Sequence, residues 1–294
     1  MVGVDMNKRQ LEVFLVIAKT QNIKYTAKLL YISSPAVSKT LSELEQEVGV
    51  TLFDRVNGRL HLNIEGRLFA EKTRELLSDF NDLSNLFNPK EIQPIRIGAS
   101  ITFGESMLLP IIDKFKKEYP KTPIPITIGN VGIIKNKILD RELDLAIIEG
   151  NVNHKDLISN EISTFSIFPV GTKQYFSQKR ISLKELSGYP LLVREKGSSL
   201  RKGIEDALKT AGYSFNPYWE SRSTNSLILA CEYGLGVTFL PETYLPIKEN
   251  LVVGMIEDYQ IKSRNHLIYL ESKSHRDEFQ YLISLIKEYP QANI

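Results

Sequence analysis

The feature that most constrains the fold is a change in the spacing of apolar residues near 88–94, NPKEIQP, where two prolines bracket a short polar stretch. Before this stretch the spacing is almost wholly that of helices. After it, short β-rich segments alternate with helical ones, which is typical of α/β proteins. A chain of 294 residues is also long enough for two or three compact units. We therefore predict a helical N-terminal part and an α/β C-terminal part.

Composition restricts the kinds of site the chain can carry. The single cysteine, Cys231, excludes an intrachain disulfide framework and a zinc site built on paired cysteines. The four histidines are scattered without metal-like spacing, so no metal and no other cofactor is expected. The segment MVGVDMNKRQ lacks the apolar core of a signal peptide, and no apolar run is long enough to span a bilayer. We expect a soluble, cytoplasmic protein with no membrane partner.

The N-terminal part divides into three short helical segments. In KRQLEVFLVIAKT apolar residues recur at core spacing, and in YTAKLLYI the small Ala27 lets a neighbouring helix approach closely. The third segment follows ISS, where Ser33 or Ser34 is a good N-cap, Pro35 suits the first turn and Gly49 can end the helix. Two short helices joined by a turn of three or four residues form a helix-turn-helix.

The outward face of the third segment consists of small polar residues with one positive charge. If the segment enters a major groove N-terminus first, the residues facing bases and phosphates are Ser34, Pro35, Ser38, Lys39 and Ser42. The following TLFDRVNGRLHLN offers two short strands joined at Asn57-Gly58, with Arg55 and Arg59 placed to hold phosphates. The alternative is an ordinary solvated face, since residues 1–66 contain eight basic against seven acidic residues.

Beyond this unit, residues recur at alternating spacings of four and three. They are Phe69, Thr73, Leu76, Phe80, Leu83 and Phe87, and Leu62 and Gly66 extend the series backwards. A period of 3.5 residues is that of a coiled-coil seam. The pattern predicts a long helix that pairs with a second copy of itself. The alternative is an amphipathic helix packed on its own domain.

The N-terminal motifs together resemble the DNA-binding domain of the LysR-type transcriptional regulators. The matching elements are Phe14, the spacing Ala27-x-x-Leu30, S-x-P-A-V-S-K at 33–39, L-x-x-L-E at 41–45 and G-V-x-L-F-D-R at 49–55. Two positions depart from the family pattern. Ser34 stands where the family commonly has Gln, which bears on base preference, and Asn63 stands where it usually has Thr. The resemblance covers the whole chain, because a long helix and an α/β region follow in the family's order.

The resemblance implies an α+β multi-domain fold. It places a winged helix-turn-helix at 6–63, a linker and dimerisation helix at 64–90, and a two-subdomain, periplasmic-binding-protein-like α/β effector domain at 91–294. Subdomain I is expected at 91–165 and 266–294, and subdomain II at 166–265.

The implied function is that of a sequence-specific transcriptional regulator, not an enzyme. The implied partners are double-stranded promoter or operator DNA, a small-molecule co-inducer, further copies of the chain in a homodimer or homotetramer, and RNA polymerase. The residues expected to contact DNA are Lys24, Ser33, Ser34, Pro35, Ser38, Lys39, Ser42, Arg55 and Arg59.

The C-terminal part has the alternation of an α/β region. Strands are predicted at 94–99, 123–130, 144–150, 165–171, 190–195, 237–241 and 266–272. Helices are predicted at 105–119, 199–212 and 226–234. The run GLGVTFLPE is interpreted as a structural turn and strand rather than as part of a ligand site.

Two strand-to-helix junctions carry hydroxyl side chains. One is Ser100-Ile101-Thr102, and the other is Gly197-Ser198-Ser199, followed by Arg201. Hydroxyls and free backbone N–H groups at a helix N-terminus form a ready anion site. The alternative is that both junctions are ordinary N-caps.

The resemblance implies that both junctions face a cleft between the subdomains, where the chain crosses near residue 165 and returns near 266. An anionic group of the effector is then expected to contact Ser100, Ile101, Thr102, Ser198, Ser199 and Arg201. Neutral or cationic parts of the effector are expected to contact Asn130, Glu149 and Asn225.

Two other functions are compatible with the residues. One is a solute-binding protein whose helical N-terminus binds another protein, and the other is an enzyme acting on a small anion. The sequence lacks G-x-S-x-G, H-E-x-x-H and the phosphate-binding G-x-x-x-x-G-K-[ST], which disfavours the enzyme. Cys231 lies in the apolar run ILACEYG and is expected to be a buried small residue. A switch through a sulfenic acid or an intersubunit disulfide is left open.

Overall fold

The structure, a computed structural model, describes residues 6–56, 59–85, 92–150, 152–176, 179–245 and 248–288. The chain divides into two compact units, Met1–Glu91 and Ile92–Ile294. The finer domain and subdomain bounds expected from the sequence stay predictions. The predicted turn at Asn57-Gly58 and the predicted seam position Phe87 lie outside the described residues.

The first unit is helical with one small hairpin. Its elements are α1 (Lys8–Thr20), α2 (Ile23–Leu30), α3 (Ser34–Val48), β1 (Phe53–Val56), β2 (Arg59–Leu62) and α4 (Ile64–Asn85). The first three helices start at the capping side chains of Asn7, Asn22 and Ser33, so Ser33 rather than Ser34 is the N-cap of α3. Their apolar faces meet in one core around Phe14.

The start of α4 is fixed against the hairpin by two residues. The Asn63 side chain accepts a hydrogen bond from the Gly66 N–H (2.7 Å) and donates one to the Thr51 carbonyl (2.8 Å). Asn63 therefore caps the helix as the family's usual Thr can. A Cβ on Gly66 would lie 2.0 Å from the Leu52 carbonyl oxygen. Only glycine permits this close approach.

The predicted seam on α4 divides along the helix. Thr73 is buried and Phe69 is half-buried, with its ring edge-on to Phe14 at 5.0 Å, because the first half of α4 completes the core of its own unit. Leu76, Phe80 and Leu83 are about half exposed or more. The alternative of packing on its own domain therefore describes the first half of the seam. The second half remains exposed, and its pairing with a second copy stays a prediction.

The second unit combines one large sheet with two smaller strand pairs and seven helices among its described residues. Its strands are β3 (Ile97–Ser100), β4 (Ile126–Gly129), β5 (Leu145–Glu149), β6 (Leu157–Thr172), β7 (Arg180–Ile181), β8 (Leu191–Arg194), β9 (Pro217–Ser221), β10 (Thr238–Pro241), β11 (Leu251–Val253), β12 (Met255–Ile256) and β13 (Lys262–Leu270). Its helices are α5 (Ile101–Ser106), α6 (Leu108–Glu118), α7 (Val131–Leu139), α8 (Leu183–Ser187), α9 (Ser199–Thr210), α10 (Thr224–Glu232) and α11 (Asp277–Glu288), and 3₁₀ turns occupy Glu242–Tyr244 and Glu271–Lys273. In the part of the chain that is described, no helix is both long and apolar enough to cross a membrane.

Two long strands run between the two largest hydrophobic clusters of this unit. The large sheet has the order β10-β6-β13-β5-β3-β4, with β11 also paired to β6, and β6 and β13 run antiparallel along their length. One cluster lies around Phe103, Phe115 and Phe279 in the predicted subdomain I, and another lies around Leu191 and Ile204 in the predicted subdomain II. Two smaller clusters lie around Ile134 and around Leu227. The subdomains are therefore joined by this strand pair.

The predicted strands and helices of the C-terminal part are present with altered bounds. The crossing strand, predicted at 165–171, begins earlier, at Leu157, and the return strand, predicted at 266–272, begins at Lys262. The helix predicted at 105–119 is two helices, α5 and α6, separated at Met107. Helices α7, α8 and α11 and strands β7, β9, β11 and β12 were not predicted. The run GLGVTFLPE lies in the core as expected, with Val237, Phe239 and Leu240 buried.

Candidate DNA-binding and effector sites

Helix α3 buries one face and presents the predicted polar face to solvent. Val37, Leu41 and Leu44 are buried in the core of the first unit. On the opposite side Ser34 is half-buried, and the exposed residues are Pro35, Ser38, Lys39 and Ser42. The Lys39 ammonium lies 3.6 Å from the Glu43 carboxylate with 77% of the Lys39 side chain exposed. A pair this exposed is weak, so the ammonium is free to turn to a phosphate.

The hairpin after α3 is anchored to it by one carboxylate. An oxygen of Glu45 accepts hydrogen bonds from the backbone N–H of Leu52 (2.7 Å) and of Phe53 (3.3 Å). Arg55 and Arg59 are both exposed, but Arg55 pairs with Leu60 across the hairpin and Arg59 pairs with Val56. Successive side chains alternate between faces, so the two arginines project from opposite faces of this wing.

The turn before α3 carries a residue that sequence reasoning passed over. Tyr31 ends α2 in the left-handed region (φ 55°) and its side chain is 95% exposed. The predicted contact residue Lys24 lies exposed on α2. This exposed aromatic ring directly before α3 is a further candidate for contact with DNA. Local sequence does not distinguish it from a core tyrosine, because its exposure is set by the fold.

In the second unit, both predicted hydroxyl junctions lie at helix N-termini. Ser100 ends β3 and caps α5, with its side chain accepting from the Phe103 N–H (3.4 Å). Ser198 precedes α9 and makes no side-chain capping hydrogen bond to the described residues. Both serines are buried. One junction lies in each subdomain, so two positive helix ends border the same space.

Glu149 occupies the space between these junctions. It ends β5, is 4% exposed, and is surrounded by the hydroxyl groups of Ser100, Thr102 and Ser199. Burial raises the pKa of the Glu149 carboxyl above its ordinary value of 4.5, and its own backbone N–H and the three hydroxyls offset part of that rise. The carboxylate is held incompletely, because its Oε1 atom has no hydrogen-bond partner among the described residues.

The cleft is closed around this carboxylate. Its free volume is about 10 Å³, roughly the space of one water molecule. The lining residues are Ser100, Ile101, Thr102, Asn130, Val131, Glu149, Arg194, Ser198 and Ser199. A wider groove of about 720 Å³ adjoins it, shares Glu149, Ser198 and Ser199 with it, and also contains Lys196 and Lys202. We call the closed cleft the cradle.

Arg194 is a cradle residue that sequence reasoning missed. It is the last residue of β8 and is 4% exposed. Its guanidinium pairs with the Glu195 carboxylate (Nε to Oε2, 3.0 Å) and donates to the Thr224 hydroxyl (3.2 Å). A buried guanidinium beside two helix N-termini makes the cradle suited to an anion.

Comparison with known families assigns both units. Residues 8–67 match the family described as bacterial regulatory helix-turn-helix protein, lysR family, and residues 90–291 match the LysR substrate binding domain. This chain belongs to the LysR family of transcriptional regulators. The predicted family and the predicted α+β fold class, with its helix-turn-helix and effector-binding domains, are thereby confirmed.

Relatives of this LysR regulator are similar over most of their length. It is 30% identical over 255 residues to the uncharacterized HTH-type transcriptional regulator YeiE of Escherichia coli K12, covering 86% of each chain. It is 25% identical to the HTH-type transcriptional activator CmpR of Synechocystis, covering 90% of this chain and 89% of that one.

Solved structures show the same fold. A full-length OxyR variant from Pseudomonas aeruginosa superposes with a TM-score of 0.69 at 19% identity, covering 96% of this chain and 95% of that one. Full-length CbnR complexed with its target DNA superposes with a TM-score of 0.60 at 17% identity, covering 97% of this chain and all of the other.

Most of the residues expected to contact the effector meet in the cradle, but Arg201 and Asn225 lie outside it. Ser100, Ile101, Thr102, Asn130, Glu149, Ser198 and Ser199 meet in the cradle. Arg201 lines only the adjoining groove, and its guanidinium already pairs with Glu220 and donates to the Arg194 carbonyl. Asn225 is exposed on α10 and does not line the described cradle. Their roles toward an effector stay predictions.

Cys231 is a core residue of this LysR chain, as its apolar surroundings indicated. It is fully buried, and its thiol donates to the Val170 carbonyl at 3.2 Å. Burial raises the pKa of the Cys231 thiol to about 11. The thiolate is the reactive form of a cysteine, so burial and this raised pKa both disfavour reaction of Cys231 at neutral pH in the folded chain.

Proposed function

We propose that this LysR regulator senses a small anion in the cradle and reads promoter or operator DNA through α3 and the wing. The observation that carries the effector assignment is the position of Glu149. The protein's own carboxylate is held between two helix N-termini, beside three hydroxyls and the buried Arg194. The surrounding hydroxyls and helix N-termini have the chemistry to bind a carboxylate or oxyanion, and the raised pKa of Glu149 lets this side chain take up a proton when a second negative charge enters.

The incomplete bonding of Glu149 favours exchange. A buried polar atom without a full hydrogen bond costs free energy, and among the described residues Glu149 Oε1 is such an atom. An external anion with better geometry recovers that free energy when it displaces the carboxylate. The effector class is therefore a small organic acid or oxyanion, with the groove at Lys196 and Lys202 available to any larger part.

The DNA contacts proposed on the first unit rest on exposure and charge. Ser33 and Ser34 lie at the N-terminus of α3, and Ser38, Lys39 and Ser42 continue along its exposed face. Helix N-termini, hydroxyls and ammonium groups are suited to phosphates and base edges. Lys24 on α2 and the wing arginines add positive charge near α3, with Arg55 and Arg59 on opposite faces of the wing.

Assembly is also part of the proposal. The exposed apolar residues Leu76, Phe80 and Leu83 on α4 are suited to pairing with the same helix of a second copy. A homodimer or homotetramer then presents two or more α3 helices to one DNA duplex. Contact with RNA polymerase is proposed from the family's role in transcription, with no residue assigned. The family is one of regulators rather than enzymes, and we take the cradle to be a sensor site.

The effector assignment is tested by thermal melting of the full chain with a panel of small organic acids and oxyanions. A ligand that binds only the folded state raises the free energy of unfolding, by about 2.7 kcal/mol when its concentration is a hundred times Kd. The melting temperature rises as a result. The double variant Thr102→Val, Ser199→Ala removes two cradle hydroxyls and is expected to lose the protection. Thr122→Val, at a buried threonine outside the cradle, is the control and is expected to keep it. Protection that survives the double variant contradicts the assignment.

A further inference from the structure

One hydrogen bond joins the two subdomains at the rim of the cradle. The Tyr244 hydroxyl donates to the Glu105 carboxylate. Glu105 lies on α5, the short helix that begins after Ser100, whereas Tyr244 ends the 3₁₀ turn that follows β10 in subdomain II. The two residues belong to opposite sides of the cleft. This contact therefore exists only while the cleft is closed.

The contact has the chemistry of a directional hydrogen bond. Burial raises the pKa of the Tyr244 hydroxyl well above its ordinary value, and the hydrogen bond to Glu105 and the charge of Glu105 raise it further. The phenol therefore keeps its proton at neutral pH and remains a donor. A hydrogen bond from a neutral donor to a carboxylate is stronger than one between two neutral groups.

The same tyrosine is connected to the cradle. Its hydroxyl also interacts with the Thr224 side chain, which accepts a hydrogen bond from the Arg194 guanidinium at 3.2 Å. Arg194 lines the cradle itself. On the other side of the cleft, α5 carries both Thr102 and Glu105, so one rigid element links a cradle hydroxyl to the contact at the rim.

We propose that the Tyr244–Glu105 hydrogen bond is a latch that keeps the cradle shut around Glu149, and that its opening controls access to the cradle. Thr224 transmits the state of the latch to Arg194. This inference rests on the proposed effector site for what passes through the opening. The opening itself can be measured without any effector.

The test uses thiol labelling of the full chain. Ser100→Cys places a thiol in the cradle at a position that is 1% exposed, so that a water-soluble thiol reagent reaches it only when the cleft opens. The buried native Cys231 in the core of subdomain II reports global unfolding in the same sample. Labelling rates at the two thiols are compared in the Ser100→Cys background, with and without Tyr244→Phe, Glu105→Ala or both.

The latch predicts about a tenfold faster labelling in the cradle for either single substitution, since the closed state loses one charge-assisted hydrogen bond. The double substitution is expected to add nothing, because both changes remove the same bond. Labelling of Cys231 is expected to stay unchanged. An unchanged rate in the cradle, additive effects, or an equal rise at Cys231 overturns the latch. Because no effector is used, this result is independent of the melting experiment on Thr102 and Ser199.

Discussion

At the scale of single residues, Glu149 is the main determinant of the electrostatics of the proposed effector site. It is a carboxylate buried among hydroxyls, with the guanidinium of Arg194 lining the same space. A permanent negative charge there opposes a second anion unless the Glu149 side chain moves away or takes up a proton. If the proposed site is correct, an anionic effector has to compete with a group that is already part of the chain.

The raised pKa of Glu149 predicts how stability depends on pH. A carboxyl whose pKa is higher in the folded than in the unfolded state contributes stability that is fully present below its ordinary value of 4.5. That contribution is lost as pH rises through the raised folded value. The Gln side chain in Glu149→Gln cannot ionise. We therefore expect the melting temperature of the variant, relative to that of the wild type, to increase as pH rises above 4.5. Each 1 kcal/mol corresponds to about 2–4 °C in a unit of this size.

Glu205 provides a control of opposite sign. A hydrogen bond from Lys209 lowers the pKa of Glu205, so its contribution is present at high pH and is lost as pH falls. Glu205→Gln is therefore expected to lose a little stability relative to wild type as pH rises, with a small effect because the pair is solvent-screened. Melting curves of both variants across the same pH series, measured by circular dichroism, check the signs. If the melting temperature of the wild type rises relative to that of Glu149→Gln as pH increases, the account is contradicted.

Local sequence order explains which cradle residues could be predicted. Ser100, Thr102, Ser198 and Ser199 follow strands and lie where helices begin, so their position at helix N-termini is readable from the sequence. Arg194 could not be predicted because its hydrogen bond to Thr224 joins residues thirty positions apart, which only the fold brings together. The Tyr244–Glu105 contact joins residues 139 positions apart, and no local pattern indicates it.

At the scale of elements, α4 has two roles along its length. Its first half packs on its own unit through Gly66, Ala70 and Thr73, and its second half leaves Leu76 and Leu83 exposed. The spacing of apolar residues predicts the apolar stripe on α4 but not which half of it is buried within its own unit. The same 3.5-residue spacing is found in an intramolecular core and in an intermolecular seam. The strand predicted for β6 is likewise too short, because its first residues are half-buried and include fewer apolar side chains than its last residues.

The exposed half of α4 predicts the effect of charge on assembly. Leu76→Glu with Leu83→Glu places carboxylates in the proposed seam, where desolvation and mutual repulsion oppose pairing. We expect the double variant to be monomeric at micromolar concentration while wild type is a dimer or larger, as measured by sedimentation equilibrium. Ser78→Glu, on the other side of the helix by the 100° spacing, is the control and is expected to assemble as wild type. A double variant that assembles normally excludes this seam.

At the scale of the whole molecule, the chain combines a DNA-reading unit with a sensor unit in one polypeptide. The switch in periodicity at the NPKEIQP stretch predicted this division, because a helical unit and an α/β unit have different apolar repeats. A ligand acts on DNA binding only through a difference in affinity between states of the protein. We propose that the cradle, the latch and the exposed half of α4 are where this chain creates such a difference.

The central claim is that α3 and the wing bind DNA. It is tested most directly by fluorescence anisotropy titration of DNA from upstream of the protein's own gene, using wild type, Ser38→Glu and Arg55→Ala. Ser38→Glu places a carboxylate against phosphates and bases, and Arg55→Ala removes a phosphate contact. We expect each substitution to weaken binding about tenfold or more. Arg55→Ala is also expected to make the slope of log affinity against log salt concentration shallower by about 1, because one phosphate contact is lost.

The controls are Ser214→Glu and Lys117→Ala, which make comparable charge changes at exposed positions of the second unit. Both are expected to bind as wild type does. The account predicts tight wild-type binding at low salt that is selectively lost in the two variants of the first unit. Wild type that does not bind this DNA at low salt, or variants at Ser38 and Arg55 that bind as well as wild type, would contradict it.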